Sequence, residues 1–203
     1  MAYSDFTFKD LKVKFGIDNK VSSLFSIINP LRISASLKED LHLASTLPIR
    51  SKKAKSELII MPILIELMKR NEQFFTIYSG DTLSTDKTNG LSGECDFILA
   101  KNTGSFDINT PLITIVEAKK NNVEIGIPQC AAQMLGVRLY NADYGNNLAQ
   151  IYGCVTTADD WIFLKLEGDT LFVDNQKYYL GQIETLLGVF QVIIDFYKKR
   201  LRD

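Results

Sequence analysis

Histidine and cysteine are scarce in this 203-residue chain, which has one histidine and three cysteines. Zinc sites built from Cys and His, three-histidine metal sites, and most Ser-His-Asp or Cys-His arrangements would all need His42. This residue lies in a Leu-His-Leu stretch of a predicted helix, where we expect a partly buried structural side chain. Cys95, Cys130 and Cys154 are widely spaced and form no paired motif, so we expect reduced thiols in the core. Any chemistry must therefore use other residue types.

Long apolar runs, strong net charge and nucleotide-binding motifs are also lacking. No uninterrupted apolar run approaches the roughly 20 residues needed to cross a bilayer, and residues 1–10 carry two acids and no signal-like block, so we expect a soluble, cytoplasmic protein. The net charge of −1 gives no general attraction to polyanions, so a nucleic acid would have to be held by a local patch. The sequence contains neither GxGxxG nor GxxxxGK[ST], which removes support for nucleotide-cofactor and P-loop functions.

The apolar pattern predicts an α/β fold with a mixed sheet flanked by helices. A buried helix is predicted over 52–70, with a kink or break at Pro62, because proline removes one backbone hydrogen bond. Further helices are predicted over 127–140 and from 183 to 201, and the last is apolar enough to serve the two-fold interface of a homodimer. Residues 1–50 are predicted to form a short helical N-terminal extension, in which Ser36 caps a helix, and residues 51–203 one domain. Six segments have strand character: 74–78, 94–99, 112–117, 150–156, 161–166 and 171–173.

Charged residues stand at the ends of two of these strands. The segment 112–116 is a near-continuous apolar run, typical of a central strand, and it leads into Glu117 and Lys119, which project from the same face because side chains alternate along a strand. Asp96 stands at the start of the preceding strand. A loop of about eleven residues would let the two strands pair in antiparallel fashion. Asp96 and Glu117 are therefore predicted to be neighbours.

Two neighbouring carboxylates favour a bound cation. At about 4 Å and an effective dielectric constant near 20 they repel by roughly 4 kcal/mol, so the pair needs either a shared proton or a cation between them. Oxygen ligands without histidine favour Mg²⁺ or Mn²⁺. Such an ion would polarise a phosphate oxygen and lower the pKa of a bound water, while Lys119 could position that water or neutralise developing charge. Taken singly, each of these residues also fits a structural role at a strand end.

A basic cluster precedes the predicted site in the sequence. Lys52, Lys53 and Lys55 stand at the entrance of the helix over 52–70, and Lys120 would add to the same side. This is the chemistry of a surface that binds phosphates, so the four lysines are candidate nucleic-acid-binding residues. The alternative is a solvated helix face.

The order of these residues resembles that of the PD-(D/E)XK nuclease superfamily. Glu57 lies on an early helix, Asp96 on the second strand, Glu117-x-Lys119 on the third strand and Gln129 on the following helix. The resemblance covers about residues 52–166 and leaves residues 1–50 unexplained. It implies a restriction-endonuclease-like fold.

The resemblance also implies roles for single residues. Asp96 and Glu117 would bind the metal with the Ala118 carbonyl, Lys119 would serve the attacking water, and Glu57 and Gln129 would be supporting catalytic groups, with Glu57 also near the metal. The proline that names the motif is replaced by Cys95.

These observations predict a Mg²⁺- or Mn²⁺-dependent nuclease that cuts DNA, or alternatively RNA, with a metal-activated water. A second hypothesis is a non-cleaving nucleic-acid-binding or assembly module with the same fold, because folds do not fix functions. A third is a sugar hydrolase that uses Asp96 and Glu117 as acid and base, although an adjacent Lys119 should keep both carboxylates ionised.

Two further residues near the predicted site have open roles. Gln133, one helical turn after Gln129, fits either a site residue or the polar boundary of a helix. Trp161 fits packing against the sheet better than stacking on a base.

Overall fold

The structure, a computed structural model, describes residues 2–201. Within this range, six α-helices flank one sheet: α1 (Phe8–Phe15), α2 (Ala35–Ser45), α3 (Lys52–Lys55), α4 (Met61–Arg70), α5 (Ile127–Asp143) and α6 (Ile183–Arg200). The sheet has seven strands: β1 (Asp18–Ser22), β2 (Phe75–Asp86), β3 (Leu91–Lys101), β4 (Leu112–Ala118), β5 (Gln150–Thr156), β6 (Asp160–Glu167) and β7 (Thr170–Tyr179).

The strands lie in the order β1-β7-β6-β5-β4-β3-β2 and form a mixed sheet. Strands β2, β3 and β4 pair in antiparallel fashion, as do β5, β6 and β7. The two groups join through the parallel pair β4–β5, and β1 lies parallel to β7 at the edge. The predicted α/β class, the mixed sheet and the antiparallel pairing of β3 with β4 are thus confirmed.

A hydrophobic core lies on each side of the sheet. One core, called the α4/α6 core, is formed with residues of α2, α4 and α6, and the other, called the α5 core, with residues of α1 and α5. The stretch Leu180–Arg200, which contains α6, is long and apolar enough to cross a membrane by length and composition, but 44% of its most apolar window is buried inside the protein. Its residues Leu187, Phe190 and Ile194 belong to the first core. In this structure α6 is therefore a core helix.

Residues 2–50 contribute to the cores on both sides of the sheet. They also include a strand that the sequence did not predict. The strand β1 pairs with β7, Tyr3 and Leu11 are buried in the α5 core, and Leu37 is buried in the α4/α6 core. Helix α2 is capped by Ser34, which accepts a hydrogen bond from the Leu37 N–H, so the predicted cap at Ser36 was wrong by two residues.

The helix does not break at Pro62, where the sequence predicted a kink or a break, and a π-helical turn lies just before this proline. Helix α3 continues without a gap through the π turn Ser56–Ile60 into α4. In this turn the N–H of Met61 bonds to the carbonyl of Ser56, five residues earlier. Proline offers no N–H, and a π turn accommodates the lost bond without ending the helix.

Predictions for single side chains had different outcomes. The three cysteines are free and buried, as expected. Trp161 is fully buried, donates a hydrogen bond to the Ala158 carbonyl and packs edge-on against Phe190, which confirms packing and excludes stacking on a base in this state. His42 is exposed, which corrects the expectation of partial burial, because α2 turns Leu37 and Ala44 toward the core instead.

A buried glutamate fixes the segment before α2 to α4. Glu66 is 5% exposed and accepts hydrogen bonds from the Ser34 N–H at 3.2 Å, the Ser34 hydroxyl at 2.7 Å and the Arg70 Nε at 2.7 Å. Burial alone would raise the pKa of this carboxyl, but the hydrogen bonds from Ser34 and Arg70 outweigh it, so the pKa of Glu66 lies below its ordinary value. The ionised form therefore stabilises the fold.

We expect Glu66→Gln to lower the free energy of unfolding at pH 7 by about 2 kcal/mol, because charge-assisted hydrogen bonds are lost in a buried place. Since the folded-state pKa is depressed, this contribution is fully present above the unfolded-state pKa and is lost as the pH falls through the folded-state value. Urea unfolding at pH 7 and at stepwise lower pH would measure it. Glu39→Gln, on the exposed face of α2, is the matched control, and equal stabilities of the two variants would contradict the assignment.

Candidate active site

Strands β3 and β4 separate at Asp96. Their regular pairing ends at Phe97 and Val116, and beyond this pair the Asp96 Oδ2 accepts a hydrogen bond from the Ala118 N–H at 2.8 Å. Strand β4 meanwhile continues beside β5, since Ala118 pairs with Thr156. A carboxylate thus takes the place of a backbone carbonyl, and its second oxygen, Oδ1, is not used in the pairing of the strands and forms an ion pair with Lys52.

Strand β3 also changes its orientation at this residue. Cys95 belongs to the α5 core and Phe97 to the α4/α6 core, although residues two apart on a regular strand share a face. On β2, Ile77 packs in the α4/α6 core and Leu83 in the α5 core, although residues six apart on a regular strand also share a face. Between them, Gly80 has φ +72°, a conformation that favours glycine. The rotation of both strands brings Asp96 to the boundary between the two helix layers.

Glu117 lies under α5 and is 1% exposed. Its Oε2 accepts a hydrogen bond from the Gln133 Nε2 at 2.8 Å, and its Oε1 lies 3.0 Å from the Lys119 Nζ. The Lys119 Nζ in turn donates to the Gln129 Oε1 at 2.5 Å. The predicted proximity of Glu117 and Lys119 is therefore present, and Gln133, whose role was open, binds the carboxylate directly.

Each carboxylate uses one oxygen for the fold and offers the other to a cation. Asp96 Oδ2 is fixed by the Ala118 N–H, and Asp96 Oδ1 lies 2.7 Å from the Lys52 Nζ. Glu117 Oε2 is fixed by Gln133, whereas Oε1 is buried and lies 3.0 Å from the Lys119 Nζ, with which it forms an ion pair. A buried carboxylate oxygen that faces an ammonium, beside a second carboxylate, fits a bound Mg²⁺ or Mn²⁺.

The electrostatic environment of Glu117 agrees with this arrangement. Burial raises the pKa of the Glu117 carboxyl above its ordinary value, and the negative charge of Asp96 raises it further, against the opposing effects of Lys119 and Gln133. The two carboxylates are thus close enough to repel each other. Lys119, which was expected to keep both carboxylates ionised, does lower the pKa of Glu117, but burial raises it by more.

The basic cluster adjoins this site, but its members differ in their contacts. The Lys55 Nζ donates to the Lys120 carbonyl and to Asp159, both at 3.2 Å, and its side chain is 16% exposed. This contact places α3 beside Lys120, as the sequence predicted. The Lys53 side chain is 83% exposed and lies 3.8 Å from Glu57. Lys52, Lys53 and Lys120 are thus the exposed members, and Lys52 is the one that pairs with Asp96.

Two cavities meet at Asp96. The inner one, of about 280 Å³, is lined by both site carboxylates and Gln129 and by the N-terminal residues Ala2, Tyr3 and Ser4. The outer one, of about 500 Å³, is lined by Lys53 and Glu57. Lys52, Glu94 and Asp96 line both.

Glu94 was not among the predicted site residues. It stands two positions before Asp96 on the same strand, and this spacing is the signal that could have identified it. Glu57, which was predicted to lie near the metal, has a side chain that is 61% exposed and belongs to the outer cavity. Among residues 2–201 no group of three or more His, Cys, Asp or Glu side chains lies close enough together to hold a metal ion. The structure thus brings together Asp96, Glu117, Lys119 and Gln129, with Glu57 farther out.

No protein-family model matches the sequence, and a search of curated proteins found no significant match. The functional argument therefore depends on the geometry of the site.

We expect Glu117→Gln to raise the free energy of unfolding at pH 7 without added metal, because burial and repulsion by Asp96 disfavour the Glu117 charge by more than Lys119 and Gln133 favour it. Since the folded-state pKa of Glu117 is raised, the wild type gains stability relative to the variant as the pH falls toward and through that pKa, and the difference shrinks. Urea unfolding between pH 7 and pH 5 would measure it. A loss of stability like that expected for Glu66→Gln would show that Glu117 is a structural residue instead.

Proposed function

We propose that this protein is a Mg²⁺- or Mn²⁺-dependent nuclease that hydrolyses phosphodiester bonds in DNA. The observation that carries the proposal is the arrangement of the carboxylate pair. Asp96 and Glu117 each have one oxygen that is hydrogen-bonded within the fold and one that faces a lysine ammonium. Paired oxygen ligands next to a lysine, at the point where two strands separate, suit metal-assisted attack of water on a phosphate.

The side chains around the pair have distinct tasks in this proposal. Asp96 Oδ1, Glu117 Oε1 and the Ala118 carbonyl would hold the cation, which supplies polarisation of the phosphate and a bound water of lowered pKa. Lys119 orients the attacking water and offsets the charge that develops on the phosphate. Gln129 fixes the position of the Lys119 ammonium through their 2.5 Å contact. Gln133 holds the Glu117 carboxylate in one orientation.

The substrate side of the site is the outer cavity. The exposed Lys53 lines it, and Lys120 lies next to the same helix. The cleft also contains Glu94 and Glu57, so these cations would offset local negative charge when a phosphate backbone enters. The Lys55 ammonium already binds Asp159 and the Lys120 carbonyl, so in this proposal Lys55 has a structural role and does not bind phosphate.

The order of the elements supports membership of the PD-(D/E)XK nuclease superfamily. Asp96 lies on β3, Glu117 at the end of β4 and Gln129 in the first turn of α5, and the helix with Glu57 precedes them. This is the order that the sequence resemblance implies. The buried, free cysteines suit a reducing compartment, so we also propose a cytoplasmic location. A homodimer through α6 would have to use its outer face, where Val192 is 36% exposed.

A non-cleaving binding or assembly module is the second candidate. The observations that favour it are the ion pair that Lys52 makes with Asp96 and the absence, within residues 2–201, of a group of three or more acidic, histidine or cysteine side chains that could hold a metal ion. In that case the charge network would be a structural feature of the cleft.

We expect the purified protein to nick plasmid DNA or degrade oligonucleotides with Mg²⁺ or Mn²⁺ and to lose this activity with a chelator. Asp96→Ala and Lys119→Ala should each lower the rate by about 100-fold or more, because each removes a group that acts on the charge developing in the transition state. Gel analysis of a time course under single-turnover conditions would measure it.

Lys20→Ala is the matched control for that experiment. Lys20 is exposed on β1, at the edge of the sheet away from β3 and β4, so its variant should cleave at the wild-type rate. Equal cleavage by the wild type, Asp96→Ala and Lys119→Ala would identify a contaminating nuclease and reject the proposal. A protein that binds DNA but shows no metal-dependent cleavage would be the binding module.

A further inference from the structure

A lysine lies where a metal ion would bind Asp96. The Lys52 Nζ is 2.7 Å from Asp96 Oδ1, the oxygen that the fold leaves unfixed. The Lys52 ammonium is attracted to Asp96, Glu117 and Glu94, which are the same acidic groups that would attract a divalent ion.

The two lysines of the network are held differently. Lys119 contacts both Glu117 and Gln129, and its side chain is 21% exposed. Lys52 approaches Asp96 from the first turn of α3, and its side chain is 44% exposed and lines the outer cavity together with Lys53. A flexible, half-exposed lysine is displaced at lower cost than one held on two sides.

We propose that Lys52 competes with the divalent cation for Asp96 and that cation binding releases Lys52 toward the substrate cavity. This inference rests on the proposed metal site. Asp96, Glu117 and Glu94 carry three negative charges and Lys52 and Lys119 carry two positive ones, so a divalent ion that enters without displacing a lysine would leave the cluster with one excess positive charge. The released ammonium lies beside Lys53, where it adds a positive charge at the position of a substrate phosphate.

The competition has a consequence for the order of binding. Before the cation binds, the charge of Lys52 is offset by Asp96 and contributes little to the attraction of a polyanion. After the cation binds, both the ion and Lys52 attract phosphate, so metal and nucleic acid bind with positive coupling.

The test is a calorimetric titration of Mn²⁺ into the metal-free protein and its variants. Lys52→Met should bind Mn²⁺ about tenfold more tightly than the wild type, because the competing charge is gone. Lys52→Arg keeps a competing charge and should stay within about threefold of the wild type. Lys53→Met, the matched control, removes the same charge one residue away and should change the affinity by less than about threefold. Thermal unfolding of each variant checks that it is folded.

The outcomes separate this inference from the proposed function. The metal site, and with it this inference, is rejected if the wild type and Asp96→Asn bind Mn²⁺ equally. It is also rejected if no variant, including Lys52→Met, binds Mn²⁺. Binding that needs Asp96 but is unchanged or weaker in Lys52→Met rejects the competition alone. Tighter binding in Lys52→Met than in both Lys52→Arg and Lys53→Met supports the competition, as does binding that appears only in Lys52→Met.

Discussion

The hydrogen bond from the Ala118 N–H to the Asp96 carboxylate is the interaction on which the site depends. It ends the pairing of β3 with β4 and satisfies a backbone group that would otherwise be left without a partner at a strand end. It also fixes one oxygen of Asp96, so that the other can face a cation. One contact therefore opens the cleft and orients its acidic group.

The two carboxylates of the site, Asp96 and Glu117, lie in different environments. Asp96 lies near the surface, within reach of the helix that begins at Lys52, whereas Glu117 is buried under α5 and depends on Gln133 and Lys119 for its polar contacts. Burial and the charge of Asp96 raise the pKa of Glu117, and Asp96, whose side chain is 12% exposed, is the member that a substrate can reach. A buried carboxyl whose pKa is raised by burial and by a like charge is typical of a functional site.

Periodicity and residue type were sufficient to predict the elements around the site. The apolar run of β4, followed by Glu117 and Lys119, fixed both the central strand and its charged end, and α5 was recognised from its apolar pattern. The short, polar β1 was missed because residues 18–22 have no apolar alternation and become a strand only through pairing with β7. The ion pair of Lys52 with Asp96 and the place of Glu94 were missed for a similar reason, since they follow from the rotation of β2 and β3 at Gly80 and Asp96, which is a tertiary feature.

The pairing of β1 with β7 bears on how the chain is made. Residues 18–22 leave the ribosome early, but their partner, residues 170–174, is synthesised about 150 residues later. At a translation rate of about 5–20 residues per second, the first strand waits for about 8–30 seconds before its partner exists. The edge of the sheet therefore closes late, and the polar, charged character of β1 keeps this segment soluble during the delay.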